Sequence, residues 1–139
     1  MTKHKTDWIV PRAQGYDTNR SLRKEIMSGL ENVMFNPYVA GNAEFQPLES
    51  DFASTVGMKY AVAVQSATAG LILALRACDV GPGDEVITVG NSDISTTAAI
   101  SIIGATIVLV DILESDYTID GSQVASAVTD RTKAILPVD

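Results

Sequence analysis

The sequence predicts an α/β protein built on a mainly parallel sheet. Strand-like runs begin near residues 60, 85, 106 and 133. The first, Tyr60 to Val64, is wholly apolar and rich in valine, as expected for a strand covered on both faces. Between the runs lie segments with apolar residues at helical spacing. The repeat of about 20 to 30 positions suits a strand, its crossover and the next parallel strand.

The elements follow in chain order. Asp17 to Phe35 carries Leu22, Ile26, Leu30 and Val33 at helical spacing, with Asp17 or Thr18 as N-cap. Asn36-Pro37 stops that helix, because proline disfavours helical geometry in the residue before it. Ala43 to Val56 is a second helix, with Phe45, Leu48, Phe52 and Val56 on one stripe and Gly57 as its stop. Tyr60 to Val64 reads as the first core strand. Ala67 to Cys78 reads as a largely buried helix with Leu71, Leu75 and Cys78 aligned, which predicts a buried thiol. In Asp79 to Asp84, Pro82 presets one backbone angle and Gly83 tolerates a positive one, so the chain reverses there. A strand (Glu85 to Val89), a covering helix (Ser95 to Ile103) and a strand (Ala105 to Val110) follow. A short helix near Gly121 to Val128 and a last strand, Lys133 to Val138, close the chain.

Composition narrows the function. A chain of 139 residues has room for one core. Ten Lys and Arg against 17 Asp and Glu give a net charge of -7, and no stretch concentrates bases, so neither nucleic acid nor an anionic membrane is expected as partner. Cys78 and His4 are each the sole residue of their type, too few for an internal disulfide or a Cys/His zinc site, so no metal is expected. The apolar run Ala98 to Val110 is shorter than a membrane span and is interrupted by Ser101, Gly104 and Thr106. Met1 to Thr6 lacks the apolar core of a secretory signal. A cytoplasmic setting is the expectation.

In open α/β sheets ligands bind beyond the carboxyl ends of the strands, where helix N-termini gather. Three junctions qualify. At Gln65-Ser-Ala-Thr68, free first-turn amides and the hydroxyls of Ser66 and Thr68 can cradle a phosphate, or Ser66 can simply cap the helix. Gly90 to Thr97 is a polar loop that can wall a ligand, or Asp93 or Ser95 can cap the helix that follows. Asp111 to Asp116 carries three acids, but a dinucleotide site would need a Gly-x-Gly-x-x-Gly loop about 20 residues upstream, which this chain lacks. Gly81-Pro82-Gly83 leads into a strand's amino end and reads as a turn.

These pieces together resemble the N-terminal part of the DegT/DnrJ/StrS-type sugar aminotransferases. The matching text comprises Leu48-Glu49-x-x-Phe52-Ala53-x-x-x-Gly57, Tyr60 to Val64 and Ser66-Ala-Thr-Ala69. It continues with Val80-Gly-Pro-Gly-Asp-Glu-Val-Ile87, Gly104-Ala105, Val110-Asp111, Thr129-Asp-Arg-Thr-Lys-Ala-Ile135 and Pro137-Val138. The resemblance implies the aspartate-aminotransferase-like (PLP fold type I) fold, with residues 1–42 as an N-terminal arm and helix. Residues 43–139 would be an incomplete pyridoxal 5'-phosphate (PLP)-binding large domain. It implies PLP as cofactor, Ser66, Ala67 and Thr68 at its phosphate, a keto-sugar acceptor, nucleotide-linked, an amino-acid donor and a homodimer.

Two departures stand out. Ala67 replaces the usual glycine; its methyl is tolerated if that residue has helical geometry and obstructs if the position needs a positive φ or a close phosphate approach. Asp93 stands where the family has an aromatic residue stacked on the cofactor ring, so it is expected to contact cofactor or substrate differently. The resemblance places the catalytic lysine beyond Val138, leaving no catalytic residue in these 139 positions. It also places strands absent from this chain between Tyr60 to Val64 and the other three. The expectation is therefore the N-terminal part of a larger enzyme, with a non-catalytic fragment of the same ancestry as the alternative.

Overall fold

The computed structural model describes residues 20–35 and 45–138. The chain forms two compact units, Met1–Ala61 and Val62–Asp139.

The described part of the first unit holds helices α1 (Arg23–Phe35) and α2 (Phe45–Thr55). The cap candidates Asp17 and Thr18 and the Asn36-Pro37 stop lie outside the described residues. Helix α2 ends as its glycine predicts: Gly57 sits at φ 68°, its N–H donates to Ser54 O at 3.3 Å, and Met58 N–H donates to Ala53 O at 2.8 Å. This doubly bonded left-handed stop satisfies two carbonyls that a helix end would otherwise leave open. Both apolar stripes form, yet Ile26, Leu30, Val33, Phe45, Leu48 and Phe52 are all exposed, and Ala53 is the one buried residue in the two helices. Spacing makes an amphipathic helix; burial needs a surface opposite it.

The second unit holds α3 (Ala67–Ala77), β1 (Glu85–Val89), α4 (Ile94–Ile102), β2 (Thr106–Val110), α5 (Gly121–Ala127) and β3 (Thr132–Ile135). The sheet order is β2-β1-β3, and both pairings are parallel. All five residues of β1 are buried, which explains why its sequence has no polar alternation. Successive side chains still point to opposite faces. Val86 packs in a cluster with Leu75 of α3 and Ala99 and Ile100 of α4. Ile87 and Val89 pack with Val110 and, more loosely, Val124 and Ala127 of α5. The sheet is thus covered by α3 and α4 on one face and by α5 on the other.

Two expectations are corrected. Tyr60 to Val64 forms no ladder; Tyr60 and Val62 are 75% and 77% exposed. A strand exists through hydrogen bonds to a neighbour; both sides of β1 are occupied by β2 and β3, and this segment joins no ladder of that sheet. Cys78 is exposed instead of buried. It is the C-cap of α3, beyond the last turn of the stripe that ends at buried Leu75.

The turn into β1 follows the expected chemistry. Gly83 has φ 95°, and Asp84 N–H donates to Gly81 O at 3.1 Å while Asp84 Oδ2 accepts from Gly81 N–H at 2.9 Å. At the start of β1, Glu85 is buried. Its Oε1 pairs with Arg131 Nη2 at 2.6 Å and its Oε2 accepts from Thr129 Oγ1 at 2.6 Å. This clamp joins β1 to β3 where their register shifts between Glu85 and Val86.

Arg131→Ala is expected to lower the unfolding free energy by about 2 kcal/mol. Exposed ion pairs contribute about 0–1 kcal/mol, whereas unpairing a buried charge costs about 3–5 kcal/mol. The side chain of Arg131 is 69% exposed and that of Glu85 only 5%, so the loss falls between. Urea denaturation near neutral pH measures it; adding Glu85→Gln should restore part of the loss, because a neutral amide tolerates burial without the guanidinium.

Candidate functional site

Helix α3 leads into β1 and α4 follows it, so both run antiparallel to the strands and present their N-termini at the carboxyl edge of the sheet. At the first junction Ser66 is the N-cap of α3, with φ -163° and ψ 160°, and its Oγ accepts from Ala69 N–H at 3.1 Å. Capping engages that oxygen and leaves the N–H groups of Ala67 and Thr68 without helical acceptors, as at any helix start. The Thr68 hydroxyl, half-buried, has no partner among the described residues. Ala67 is the first helical residue and does not have a positive φ. Its methyl therefore carries no backbone penalty. Two amides, one hydroxyl and the positive end of an 11-residue helix suit a phosphate.

At the second junction Asp93 is the N-cap of α4. Its Oδ1 accepts from Ser95 N–H at 2.9 Å and from Ser95 Oγ at 2.5 Å. Behind it, Ser92 Oγ and buried Thr96 Oγ1 share a hydrogen bond of 2.7 Å. The neighbouring Ile94 is 80% exposed although apolar. At the third junction Asp111 Oδ1 accepts from its neighbour Ile112 N–H at 2.9 Å. Its own N–H donates to Gln123 Oε1 at 3.0 Å.

The fold brings parts of the second and third junctions together. Gly90 and Asn91 face Asp111, Ile112 and Gln123 across an open cleft of about 470 Å³, with Leu109 and Val110 in its wall. Ser66, Ala67, Thr68 and Asp93 do not line this cleft. Sequence reasoning missed Gln123, because nothing local shows that a side chain of α5 reaches the backbone at the end of β2. In the first unit, a smaller cleft of about 260 Å³ lies beside Gln46, Glu49, Lys59 and Tyr60, where Lys59 Nζ sits 4.9 Å from the Tyr60 ring centroid.

Three exposed carboxyls are held below the ordinary carboxylate value. The Ser95 hydroxyl and then its amide act on Asp93, the Thr118 amide and then its hydroxyl on Asp116, and the Ser122 hydroxyl and then its amide on Asp120. A carboxyl whose folded pKa lies below its unfolded value stabilises the fold above the unfolded value and loses that contribution as pH falls through the folded one. Melting temperature should therefore hold from neutral pH down toward about 5 and fall as pH drops through 3.8 and below. Asp93→Asn should make that acid-induced fall shallower; an unchanged profile would show that the cap contributes nothing through its charge.

The parallel sheet flanked by helices is that of an α/β protein of the PLP fold type I class, shared with the solved aminotransferases that it superposes on. The chain belongs to the DegT/DnrJ/EryC1/StrS aminotransferase family, whose model matches residues 20–139. It is 44% identical over 117 residues to the spore coat polysaccharide biosynthesis protein SpsC of Bacillus subtilis (strain 168), covering 84% of this chain and 30% of that protein. The structure of DesV from S. venezuelae matches with a TM-score of 0.87 and 35% identity, over 92% of this chain and 34% of DesV. A Streptococcus pneumoniae protein bearing the name sugar aminotransferase, in its PLP form, matches at 0.75 and 30% identity, over 78% of this chain and 28% of that one. The chain thus spans about a third of the length of these relatives. Among the described residues no helix is long and apolar enough to cross a membrane.

Proposed function

We propose that these residues are the cofactor-phosphate part of a PLP-dependent aminotransferase that moves an amino group from an amino acid to a keto-sugar, nucleotide-linked. The observation that carries the reading is the start of α3, where capped Ser66, helical Ala67 and the unpartnered Thr68 hydroxyl form a phosphate cradle within a chain of this family. PLP, when bound, supplies an electron sink for bond breaking next to the transferred nitrogen. The amides of Ala67 and Thr68 and the hydroxyl of Thr68 would bind its phosphate and fix its position at the carboxyl edge of the sheet. Asp93 would face cofactor or substrate from the second junction, with its orientation set by Ser95.

In this reading residues 43–139 belong to the PLP-binding large domain, and a lysine outside these residues would hold the cofactor. The active protein is a cytoplasmic homodimer. Adding PLP to the chain and to a longer polypeptide carrying that lysine tests this. The visible absorbance band of lysine-bound cofactor should appear only with the longer polypeptide. A lysine-dependent band from the 139 residues alone would overturn the assignment of the catalytic lysine.

Asp93 also supports a second reading, a non-catalytic relative that pairs with a full-length homologue, since a carboxylate cannot stack on a ring as an aromatic does. Size-exclusion chromatography of the chain mixed with such a homologue separates the two. Co-elution without transaminase activity in the lysine-bearing form favours the pairing role.

A further inference from the structure

The cleft at the carboxyl ends of β1 and β2 takes no part in the phosphate cradle, and its chemistry is different. Asp111 uses Oδ1 to accept from Ile112 N–H, and its Oδ2 has no partner among the described residues. The Asn91 side chain has none either. Gln123 is held at both ends, its Oε1 by Asp111 N–H at 3.0 Å and its Nε2 by Asp120 Oδ2 at 3.3 Å, so it braces the Asp111 backbone. Leu109, 58% exposed, and half-buried Ile112 supply apolar wall. At Gly90 an added Cβ would meet nothing within 4 Å, which leaves the mouth open.

Asp111 is the one charged residue among those that line this cleft, and no Lys or Arg is among them. A phosphate or carboxylate ligand would meet repulsion from Asp111 with no cation in the lining to offset it. A neutral alcohol could hydrogen-bond to Asp111, but a bond from a charged donor to a carboxylate is about twice as strong as a neutral one. The volume of about 470 Å³ falls within the span of small-molecule sites, about 300–1,000 Å³.

We propose that this cleft binds a small primary alkylammonium ligand, its ammonium donating to Asp111 Oδ2 and to the Asn91 side-chain carbonyl and its alkyl chain lying along Leu109 and Ile112. The assignment does not depend on the aminotransferase reading, since it uses neither the phosphate cradle nor the cofactor.

The test is an amide-resolved NMR titration of the chain with n-butylammonium, 1-butanol and butyrate, each at the same ionic strength. Butylammonium should shift resonances of Gly90, Asn91, Asp111 and the Gln123 side chain, while butyrate leaves them in place and butanol acts at least about tenfold more weakly. Asp111→Asn should weaken butylammonium binding at least about tenfold. Gly90→Leu should do the same by filling the mouth while keeping every hydrogen bond of Asp111, so it decides the matter if the Asp111 variant does not fold. Shifts of equal size with butanol would reduce the cleft to an apolar groove and overturn the proposal. Absence of localised shifts, or binding unchanged in a folded Asp111→Asn or Gly90→Leu variant, would also overturn it.

Discussion

Ser66→Asp is expected to leave the stability of the chain nearly unchanged and to weaken PLP retention by about a hundredfold in the lysine-bearing polypeptide. Aspartate caps a helix as well as serine does, so the bond that Ser66 Oγ accepts from Ala69 N–H has a ready replacement. The same substitution sets a negative charge where the cofactor phosphate would sit. Two unit charges about 4 Å apart interact by about 1 kcal/mol in water and about 4 kcal/mol at an effective dielectric constant near 20. A partly exposed helix start lies between those limits, and about 2.7 kcal/mol corresponds to a hundredfold in affinity. Equilibrium dialysis of the cofactor, with thermal melting of the same samples, reads both effects. Ser66→Ala is the contrasting variant: it removes the cap, at a cost of about 1 kcal/mol, and adds no charge. If Ser66→Asp keeps its cofactor affinity, the start of α3 is only a capped helix.

Ile100→Ala is expected to destabilise the second unit by about 2–5 kcal/mol, the cost of removing most of a large side chain from a close-packed core. Ile100 is 0% exposed and packs in one cluster with Leu75, Val80, Val86 and Ile103. Two positions later on the same helix Ile102 is 63% exposed, so Ile102→Ala should change stability by no more than about 0.5 kcal/mol. Urea denaturation of the two variants in parallel tests the pair. Equal losses would mean that α4 packs on a face other than the one described.

Helix α4 also shows how far local pattern reaches. Its nine residues mix five apolar side chains with four hydroxyls, so local pattern marks a helix but not which side is buried; only the sheet beneath it separates Ile100 from Ile102. Strand β1 was fully legible, because four consecutive β-favouring residues, Val86 to Val89, between a proline-glycine turn and a polar loop read as a strand. Tyr60 to Val64 carries the same local signal and forms no ladder, since strand pairing depends on a neighbour that the segment itself cannot supply. The cap roles of Ser66 and Asp93 were likewise among the readings open from residue type alone, as capping is an interaction over three positions or fewer.

The long-range polar contacts were not legible. Glu85 is 44 residues from Thr129, and Asp111 is 12 from Gln123, so no local spacing rule connects either pair. Cys78 failed for a related reason: helical periodicity was extended one residue past the end of α3, and a cap position does not follow the stripe.

The sequence by itself determined the described helices, three of the four expected strands with their parallel α/β order, and the turn at Gly81 to Asp84, because each rests on propensities and spacings of neighbouring residues; its motifs, taken together, carried the resemblance to the family. The tertiary structure alone decided that β1 lies between β2 and β3, that Glu85 is buried against Arg131, that Ala67 is helical, and that Asn91 faces Asp111 across a cleft. Those are relations between distant segments, and they come into being only when burial of the two sheet faces brings the segments together.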